Sequence, residues 1–449
     1  MRSARPVIVA ASATFLLGVD AVVMGCQGPV VRTADESQLR EYVGTYEWAS
    51  DRFVYLQLWS ELTGTNQLVA FDESSEVRAL YPTDRDAFFA GPGAAVPTAI
   101  QSRIRFLRDG SRRISGLTWQ REGDTARSAR RVEIEKRENV QFSNGDIKLV
   151  GTLITPSEGT KHPAIILVHA SGAEDREYLL PFAHFLVRHG VAVLGYDKRG
   201  VGGSTGDWHI ASFDDLAGDV AAAFDYLKTR SDVDASQIGL LGWSQAGWVM
   251  PLAALRAQGI AFLISISGAG IPAAETTIDQ TTNDLRARGM KAQTVDQIVD
   301  LMKLQYRFAR TGEGWNDYAA ARTALVARLG QAPETFPASP DDPYLSFVRR
   351  LYFYDPAPTL RQLHLPILAL FGELDDNIIA EKNKAAWDSA LRAGGNRDYT
   401  LRILPRANHL MLEAKVGSNA EMPSLQRFVP AYAATVIDWL TERVQGFHR

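Results

Sequence analysis

Five uninterrupted apolar runs constrain the fold of this chain more than any other feature of its sequence. The runs are Ala164–Val168, Val191–Leu194, Ile238–Leu241, Phe262–Ile266 and Ile367–Phe371. Continuous apolar runs of this length suit strands buried on both faces, whereas a strand with one face in water alternates apolar and polar residues. Amphipathic helix patterns lie between them, the clearest from Phe213 to Thr229 with Ser212 as its predicted N-cap. Strands that alternate with helices predict a mainly parallel sheet and an α/β fold.

One of the apolar runs leads into a short turn that contains a serine. The segment Gly239–Trp248 reads Gly-Leu-Leu-Gly-Trp-Ser-Gln-Ala-Gly-Trp, so Ser244 stands between a buried strand and a helix. A Gly-x-Ser-x-small turn in this setting is a nucleophile elbow, and its neighbours must be small because the strand and the helix approach closely. Ala246 replaces the usual second glycine, and Gly247 follows directly. The setting predicts that Ser244 is a nucleophile.

A serine nucleophile needs a base to remove its proton and an acid to orient that base. Asp375 lies in the loop after the apolar run that ends at Phe371, and His409 follows the next predicted strand. Both therefore fall at the carboxyl edge of the sheet, where ligands bind in such folds. We predict Asp375 as the acid and His409 as the base. Asp376 is the alternative acid, and Glu373 is interpreted as a loop or capping residue.

Acyl transfer also needs N–H donors directed at the developing oxyanion. The backbone N–H of Gln245, directly after the nucleophile, is one predicted donor. The second is expected in the segment His169–Gly172, which follows the first apolar run, and the Ser171 amide is favoured there. His169 itself is expected to brace this loop rather than to act as a base.

These motifs together resemble bacterial α/β-hydrolases of the dienelactone-hydrolase and prolyl-oligopeptidase-like branch, including esterases with an added N-terminal β domain. The segments that carry the resemblance are His169–Arg176, Tyr196–Gly206 and the Gly-Trp-Ser-Gln elbow. It extends from about Val140 to the C-terminus, except for a weakly matching insertion. The resemblance implies an α/β-hydrolase fold and structural roles for Asp197, Arg199 and Ser204. The family's oxyanion motif commonly begins His-Gly, and Ala170 replaces that glycine here.

Two further units are predicted around the catalytic domain, which would comprise residues 140–270 and 355–449. Residues 41–135 contain short strands punctuated by Gly, Asn, Asp and Pro, as in a small antiparallel domain. That domain would either pack beside and shield the larger one or take part in substrate recognition. Residues 271–354 form a helical insertion rich in aromatic residues. We interpret it as a cap over the active site, with the alternative that its aromatic residues form a core of their own.

The N-terminus has the features of an export signal. Arg2 and Arg5 precede the apolar run Val7–Val19, which is short for a membrane span but suits a secretory signal. Residues 1–26 are therefore predicted to be a signal peptide. It ends in Val-Met-Gly-Cys, which resembles a bacterial lipobox, and Cys26 is the only cysteine in the chain. Three outcomes stay open: a lipoprotein anchored to the membrane through Cys26, a cleaved periplasmic or secreted protein, and a cytosolic protein with an ordinary N-terminal helix.

Charge and histidine placement exclude several classes of function. The chain carries 48 Lys and Arg against 52 Asp and Glu, spread without a basic stripe, so we expect no nucleic-acid partner. Its 8 histidines form no metal-ligand spacing, so no metal or other cofactor is expected. The oligomeric state cannot be read from the sequence.

The predicted function is hydrolysis of a small carboxylic ester, lactone or thioester through an acyl-enzyme on Ser244. A prolyl-oligopeptidase-like peptidase or aminopeptidase is the alternative. It is disfavoured because the N-terminal region shows no blade-length repeat of a propeller. A non-catalytic binding protein built on a hydrolase fold is a third hypothesis, against which the complete set of triad residues argues.

Overall fold

A computed structural model of the chain describes residues 31–32, 34–49, 52–62, 64–72, 75–178, 183–330 and 335–447. The predicted signal peptide and Cys26 lie outside the described residues. Within the described ranges, no helix is both long enough and apolar enough to cross a membrane.

The N-terminal part of the chain forms an antiparallel sheet that follows a short helix, α1 (Glu36–Arg40). Its nine strands are β1 (Gly44–Ala49), β2 (Arg52–Trp59), β3 (Gln67–Asp72), β4 (Val77–Ala79), β5 (Tyr81–Asp84), β6 (Ala87–Ala90), β7 (Ser102–Arg108), β8 (Ile114–Arg121) and β9 (Arg127–Val132). Their order is β4-β3-β2-β1-β9-β8-β7-β6-β5. The predicted antiparallel β domain is therefore confirmed.

The second sheet is mixed, and most of its strands are parallel. Its eight strands are β10 (Glu135–Asn144), β11 (Ile147–Pro156), β12 (His162–Val168), β13 (Ala192–Tyr196), β14 (Val233–Trp243), β15 (Leu263–Ile266), β16 (Ile367–Gly372) and β17 (Tyr399–Leu404). They lie in the order β10-β11-β13-β12-β14-β15-β16-β17. The first two form an antiparallel hairpin, and β12 to β17 run parallel to one another. All five apolar runs fall on these strands, with Val191 and Phe262 one residue before the start of β13 and β15, and β12, β13, β15 and β16 are buried along their whole length.

Helices flank this sheet and fill the segment between β15 and β16. They are α2 (Ala183–Arg188), α3 (Phe213–Lys228), α4 (Ala246–Arg256), α5 (Ala273–Ala287), α6 (Ala292–Thr311), α7 (Trp315–Leu329), α8 (Pro343–Leu351), α9 (Ala357–Leu360), α10 (Ala380–Ala393) and α11 (Pro430–Arg443). The predicted N-cap of α3 is confirmed as part of a capping box. The Ser212 hydroxyl accepts a hydrogen bond from the Asp215 N–H at 3.1 Å, and the Asp215 carboxylate accepts one from the Ser212 N–H at 2.8 Å.

The aromatic residues of the helical insertion pack mainly on one another. Tyr306 and Tyr352 meet edge to face with ring centroids 5.4 Å apart, and Phe308 lies 5.0 Å from Trp315. Tyr318 is completely buried. These rings hold the helices of the insertion together, and they belong to the same hydrophobic cluster as one face of the parallel sheet, so both interpretations drawn from the sequence stay open.

A hydrophobic core joins the two sheets. It combines residues of β2, β3 and β4 with residues of the parallel sheet and of the chain beyond β17. Phe71 of β3 stacks on Phe428 with ring centroids 6.3 Å apart. Backbone hydrogen bonds reinforce this contact, since the Val77 N–H donates to Gln426 O at 2.9 Å and the Phe428 N–H donates to Ser75 O at 2.8 Å. The N-terminal sheet is thus part of the same packed unit as the parallel sheet.

Replacing Phe71 by alanine should destabilise the whole protein, because its ring contributes to the core that both sheets share. We expect a loss of about 3–5 kcal/mol in the free energy of unfolding and a single cooperative transition. Leu107→Ala is the control, since Leu107 lies in the same domain with 41% of its surface exposed. Denaturant unfolding followed by circular dichroism measures both. Two separate transitions, or equal midpoints for the two variants, would contradict a shared core.

Candidate active site

Ser244 lies in a sharp turn between β14 and α4, in a backbone conformation that L-residues rarely adopt. Its φ is 54°, in the left-handed region. The surrounding structure holds it there, because its N–H donates to Ile266 O at 3.1 Å and its carbonyl accepts the Gly247 N–H at 2.9 Å. Such strain costs about 1–3 kcal/mol and is found mainly at functional sites. Ser244 is partly exposed at the carboxyl edge of the sheet, as a nucleophile elbow requires.

Two glycines permit the close approach of strand and helix at this turn. A Cβ atom at Gly242 would lie 2.5 Å from the Ala246 Cβ and 2.7 Å from Val168 O. At Gly247 it would lie 2.5 Å from the Ala269 N. Ala246 therefore fits at the position where a second glycine is usual, because Gly242 leaves room for its methyl group. The requirement for a glycine after the serine falls on Gly247.

Asp375 and His409 form a hydrogen-bonded pair at the same edge of the sheet. His409 Nδ1 lies 2.9 Å from Asp375 Oδ2 and 3.1 Å from Oδ1. The Asp375 side chain is fully buried, and its Oδ1 also accepts the N–H groups of Asn377 and Ile378, both at 2.8 Å. With Nδ1–H donated to the carboxylate, neutral His409 carries its lone pair on Nε2. The imidazole is therefore held in the tautomer that a general base needs.

The electrostatic surroundings of His409 favour its protonated form. Burial lowers the pKa of His409, but the Asp375 carboxylate counters this by its charge and hydrogen bond, and Glu61 adds to the effect, so the pKa lies above 6.5. The neighbouring Asp376 makes no hydrogen bond to His409 among the described contacts. Burial and the charge of Asp375 raise the pKa of Asp376 to about 6. Of the two candidate acids, it is Asp375 that the structure brings to the histidine.

Contacts between two loops fix the position of this pair. The Glu373 N–H donates to Leu404 O at 3.0 Å, and the Leu374 N–H donates to Ala407 O at 2.8 Å. Gly372 makes the approach possible, because a Cβ there would lie 2.6 Å from Ala407 O. The Glu373 carboxylate accepts the N–H of Arg406 at 2.8 Å, which is the loop role expected for it.

Among the described residues, no hydrogen bond joins the Ser244 hydroxyl to His409. The two residues follow β14 and β17, which are separated by β15 and β16, and all four strands end at one edge of the sheet. Catalytic hydrogen bonds are often long in the absence of a substrate and tighten when one binds. The structure thus brings Asp375 to His409 directly, and it brings Ser244 to the same edge.

The predicted oxyanion donors also lie at this edge. Ser171 follows β12, Gln245 precedes α4, and both are partly exposed. Within the described part of the chain, no hydrogen bond uses the backbone N–H of either residue. His169 is buried and donates its Nε2–H to Tyr196 O at 2.6 Å. Burial and the nearby Lys198 charge lower the pKa of His169 to about 3, so it is a neutral brace for this loop.

The acidic and basic residues of the Tyr196–Gly206 segment hold the loops around the site together. Asp197 binds the Arg176 guanidinium, with 2.7 Å between Oδ2 and Nη2, and accepts the Gly203 N–H at 2.7 Å. Arg199 forms two hydrogen bonds of 2.7 Å to the buried Asp219. The Ser204 hydroxyl donates to Asp197 O at 2.8 Å. These contacts agree with the structural roles that the family resemblance implies.

Sequence reasoning missed three charged residues near the site. Lys198 and Glu174 lie inside segments that were recognised as motifs, but nothing in their spacing shows that they meet. Glu61 follows β2 in the N-terminal domain and accepts a hydrogen bond from the Tyr178 hydroxyl. It is separated from His409 by most of the chain, and its proximity appears only when the two sheets are packed together.

One family of known proteins matches more than half of the chain. The family described as serine aminopeptidase, S33 (Hydrolase_4) matches residues 159–415. Esterase EstD of Thermotoga maritima is 24% identical over 321 residues, which cover 67% of this chain and 69% of EstD. The quorum-quenching protein AidA of Acinetobacter baumannii is 28% identical over 128 residues, which cover 28% of this chain and 42% of AidA.

Among solved structures, an esterase of Pyrococcus furiosus is 18% identical with a TM-score of 0.44, covering 69% of this chain and 92% of that one. Proline iminopeptidase of Mycobacterium smegmatis is 18% identical with a TM-score of 0.43, covering 68% of this chain and 98% of that one.

Gly242→Ala should destabilise the protein and distort the turn at Ser244, because the added methyl group would overlap Ala246 and the Val168 carbonyl. We expect a loss of about 1–3 kcal/mol, typical of overpacking. Gly110→Ala is the matched control, since a Cβ there meets nothing within 4 Å. Thermal unfolding measures both variants. Equal melting temperatures would show that the elbow is not packed as described.

Proposed function

Because the chain belongs to the serine aminopeptidase S33 family of α/β-hydrolases, we propose that this hydrolase cleaves carboxylic esters through an acyl-enzyme on Ser244. The observation that carries the proposal is the buried Asp375–His409 pair at the sheet edge where the strained Ser244 turn ends. A serine hydroxyl is a weak nucleophile, and an imidazole oriented by a carboxylate is the usual means of activating it. Nothing else in the described part of the chain combines these three groups.

In the proposed reaction, His409 Nε2 takes the proton from the Ser244 hydroxyl as its oxygen attacks the carbonyl carbon of the ester. Asp375 stabilises the imidazolium that forms, and the N–H groups of Ser171 and Gln245 donate to the oxyanion of the tetrahedral intermediate. The C–O bond to the alcohol then breaks, and His409 returns the proton to the leaving oxygen. Water, deprotonated by His409, attacks the acyl-enzyme in the same way, releasing the acid and restoring Ser244.

The preference for an ester over other acyl substrates is supported by the relative whose match covers 67% of this chain, since EstD of Thermotoga maritima is named an esterase. Lactones and thioesters react through the same steps and belong to the same proposal. The pocket that distinguishes them would be formed partly by the helical insertion. Its helix α5 packs beside the acid loop, where the Gln280 and Asn283 side chains donate to Asn377 Oδ1 at 3.1 Å and to Asp376 O at 3.0 Å.

One observation favours an aminopeptidase as the second candidate. Glu61 places a carboxylate close enough to His409 to raise its pKa, and among the described residues no lysine or arginine forms an ion pair with Glu61. An unneutralised carboxylate at the edge of an active site attracts a cationic group such as a free peptide N-terminus. The description of the family as serine aminopeptidase is consistent with such a substrate.

A substrate panel separates the two candidates. We expect the wild-type protein to hydrolyse short-chain p-nitrophenyl esters, and Ser244→Ala to reduce kcat by about 10⁶-fold, as removal of a catalytic serine does in other serine hydrolases. Aminoacyl p-nitroanilides with a free amino group are the comparison substrates. A kcat/KM for the anilides far above that for the esters would favour the aminopeptidase. Ester turnover that survives in Ser244→Ala would refute the assigned nucleophile.

The pH dependence of kcat/KM reports the base. His409 accepts a proton only when neutral, so activity should fall as the pH decreases through its pKa, which lies above 6.5. Asp375→Asn removes the charge that raises this pKa, so the inflection should move to lower pH and kcat should fall about 10⁴-fold, as for the equivalent change in a well-studied serine protease. Asp376→Asn is the matched control and should keep the wild-type inflection. An unshifted inflection in Asp375→Asn would contradict the pairing.

A further inference from the structure

A buried lysine connects the two segments that hold the proposed oxyanion donors. Lys198 is 2% exposed. Its ammonium donates to Ala170 O at 2.8 Å, to Gly172 O at 3.0 Å and to the Gln245 side-chain Oε1 at 3.3 Å. An ammonium group has three N–H donors, so these three acceptors use all of them. One cation is therefore hydrogen-bonded to the loop after β12 and to the residue that precedes α4.

A buried carboxylate fixes the same loop from a second direction. Glu174 is 5% exposed, and its Oε2 accepts the Ala170 N–H at 2.8 Å. Its own backbone carbonyl accepts the Lys198 N–H at 3.1 Å. Three backbone groups of the loop are thus held in place by Lys198 and Glu174: the Ala170 N–H, the Ala170 carbonyl and the Gly172 carbonyl.

Because the peptide bond is planar, these contacts also fix the direction in which the Ser171 N–H points. In a trans peptide, the carbonyl of one residue and the N–H of the next point in opposite directions. Because the Ala170 carbonyl points to Lys198, the Ser171 N–H must point away from the ammonium. No hydrogen bond of the described structure uses that N–H. Gly172, with a φ of 105°, lets the loop turn back so that its carbonyl also reaches Lys198.

Stability alone does not explain a charge pair in this position. Burying charged groups is costly, and well-packed apolar residues of similar volume often serve equally well in a core. Burial lowers the pKa of Lys198 and raises the pKa of Glu174, and the charge of each group opposes the shift of the other. Among the described residues, the Lys198 ammonium donates only to the Ala170 carbonyl, the Gly172 carbonyl and the Gln245 side chain. All three acceptors lie in the segments that hold the proposed oxyanion donors. That distribution fits a role in the chemistry at Ser244.

We propose that Lys198, supported by Glu174, is a positioning residue that orients the Ser171 and Gln245 N–H groups toward the oxyanion. It touches neither the substrate nor the reacting atoms. The proposal rests on the acyl-enzyme mechanism proposed above. It adds to that mechanism the group that holds the oxyanion donors in place. It also explains why alanine is acceptable at position 170 in place of the usual glycine, because the Lys198 and Glu174 side chains fix the peptide groups of Ala170.

Lys198→Met tests this role, because methionine keeps much of the volume and removes all three hydrogen bonds. We expect kcat for p-nitrophenyl acetate to fall about 10²–10³-fold, the effect of losing one oxyanion donor in a well-studied protease, with KM changed less than threefold. The inhibition constant of a trifluoromethyl ketone, which forms a tetrahedral oxyanion on the serine, should rise by a similar factor. Lys148→Met, an exposed lysine of β11, is the matched control and should behave as wild type.

The kcat per titrated active site and the inhibition constant of the ketone together distinguish a positioning role of Lys198 from a general structural role. A merely misfolded fraction would lower the number of sites titrated by a fluorophosphonate and leave kcat per titrated site unchanged. If Lys198→Met does not fold, Glu174→Gln replaces it, since glutamine keeps an acceptor for the Ala170 N–H and removes the charge. That variant should lose at least tenfold in kcat per titrated site.

Wild-type kcat and ketone affinity in the folded variant would overturn the proposal. Its failure is separable from that of the proposed function: a wild-type protein that turns over no ester refutes the function, whereas an active wild type with an equally active Lys198→Met refutes only the role of Lys198.

Discussion

The close approach of β14 to α4 is the constraint on which the rest of the site depends. Gly242 and Gly247 leave too little space for any side chain, so the chain must turn sharply between them and Ser244 takes a positive φ. A hydrogen bond from the Ser244 N–H to Ile266 O of β15 holds the turn, and β14 is itself fixed between β12 and β15. A rigid buried sheet therefore supports the strained residue, and its parallel strands deliver the loops that bear the proposed acid, base and oxyanion donors to one edge.

The N-terminal β domain is coupled to this site in two ways. Its strands share a hydrophobic core with the parallel sheet, and its polar groups bind the turn that follows the oxyanion loop. Glu177 of that turn pairs with Arg40 at 3.2 Å and accepts a hydrogen bond from the buried Gln57 at 3.0 Å. The next residue, Tyr178, donates to Glu61. Glu174 directly precedes this turn, so the contacts of the domain continue into the network around Lys198. The domain thus supports the loops of the proposed active site and also places one carboxylate near His409.

Much of this arrangement could be predicted because it is encoded locally. The apolar runs identified the buried strands, Ser212 marked the start of α3, and the order of Ser244, Asp375 and His409 placed all three at strand ends. The choice of Asp375 over Asp376 agrees with the contact to His409, although two adjacent aspartates cannot be distinguished by spacing alone. What could not be predicted depends on contacts between distant segments. Lys198 reaches Ala170 and Gln245, and Glu61 reaches Tyr178, only after the sheets have packed. The arginine-rich β9 also lacked the alternating pattern that identifies a strand.

The identity of the nucleophile is most directly tested by mass spectrometry of the protein after reaction with a fluorophosphonate. A serine activated by His409 should carry one covalent phosphonyl group per chain, and proteolysis should place it on the peptide that contains Ser244. Prior treatment with an ester at saturating concentration should slow the labelling. An unmodified protein, or an adduct on a peptide that lacks Ser244, would contradict the assignment of this turn as the reactive centre.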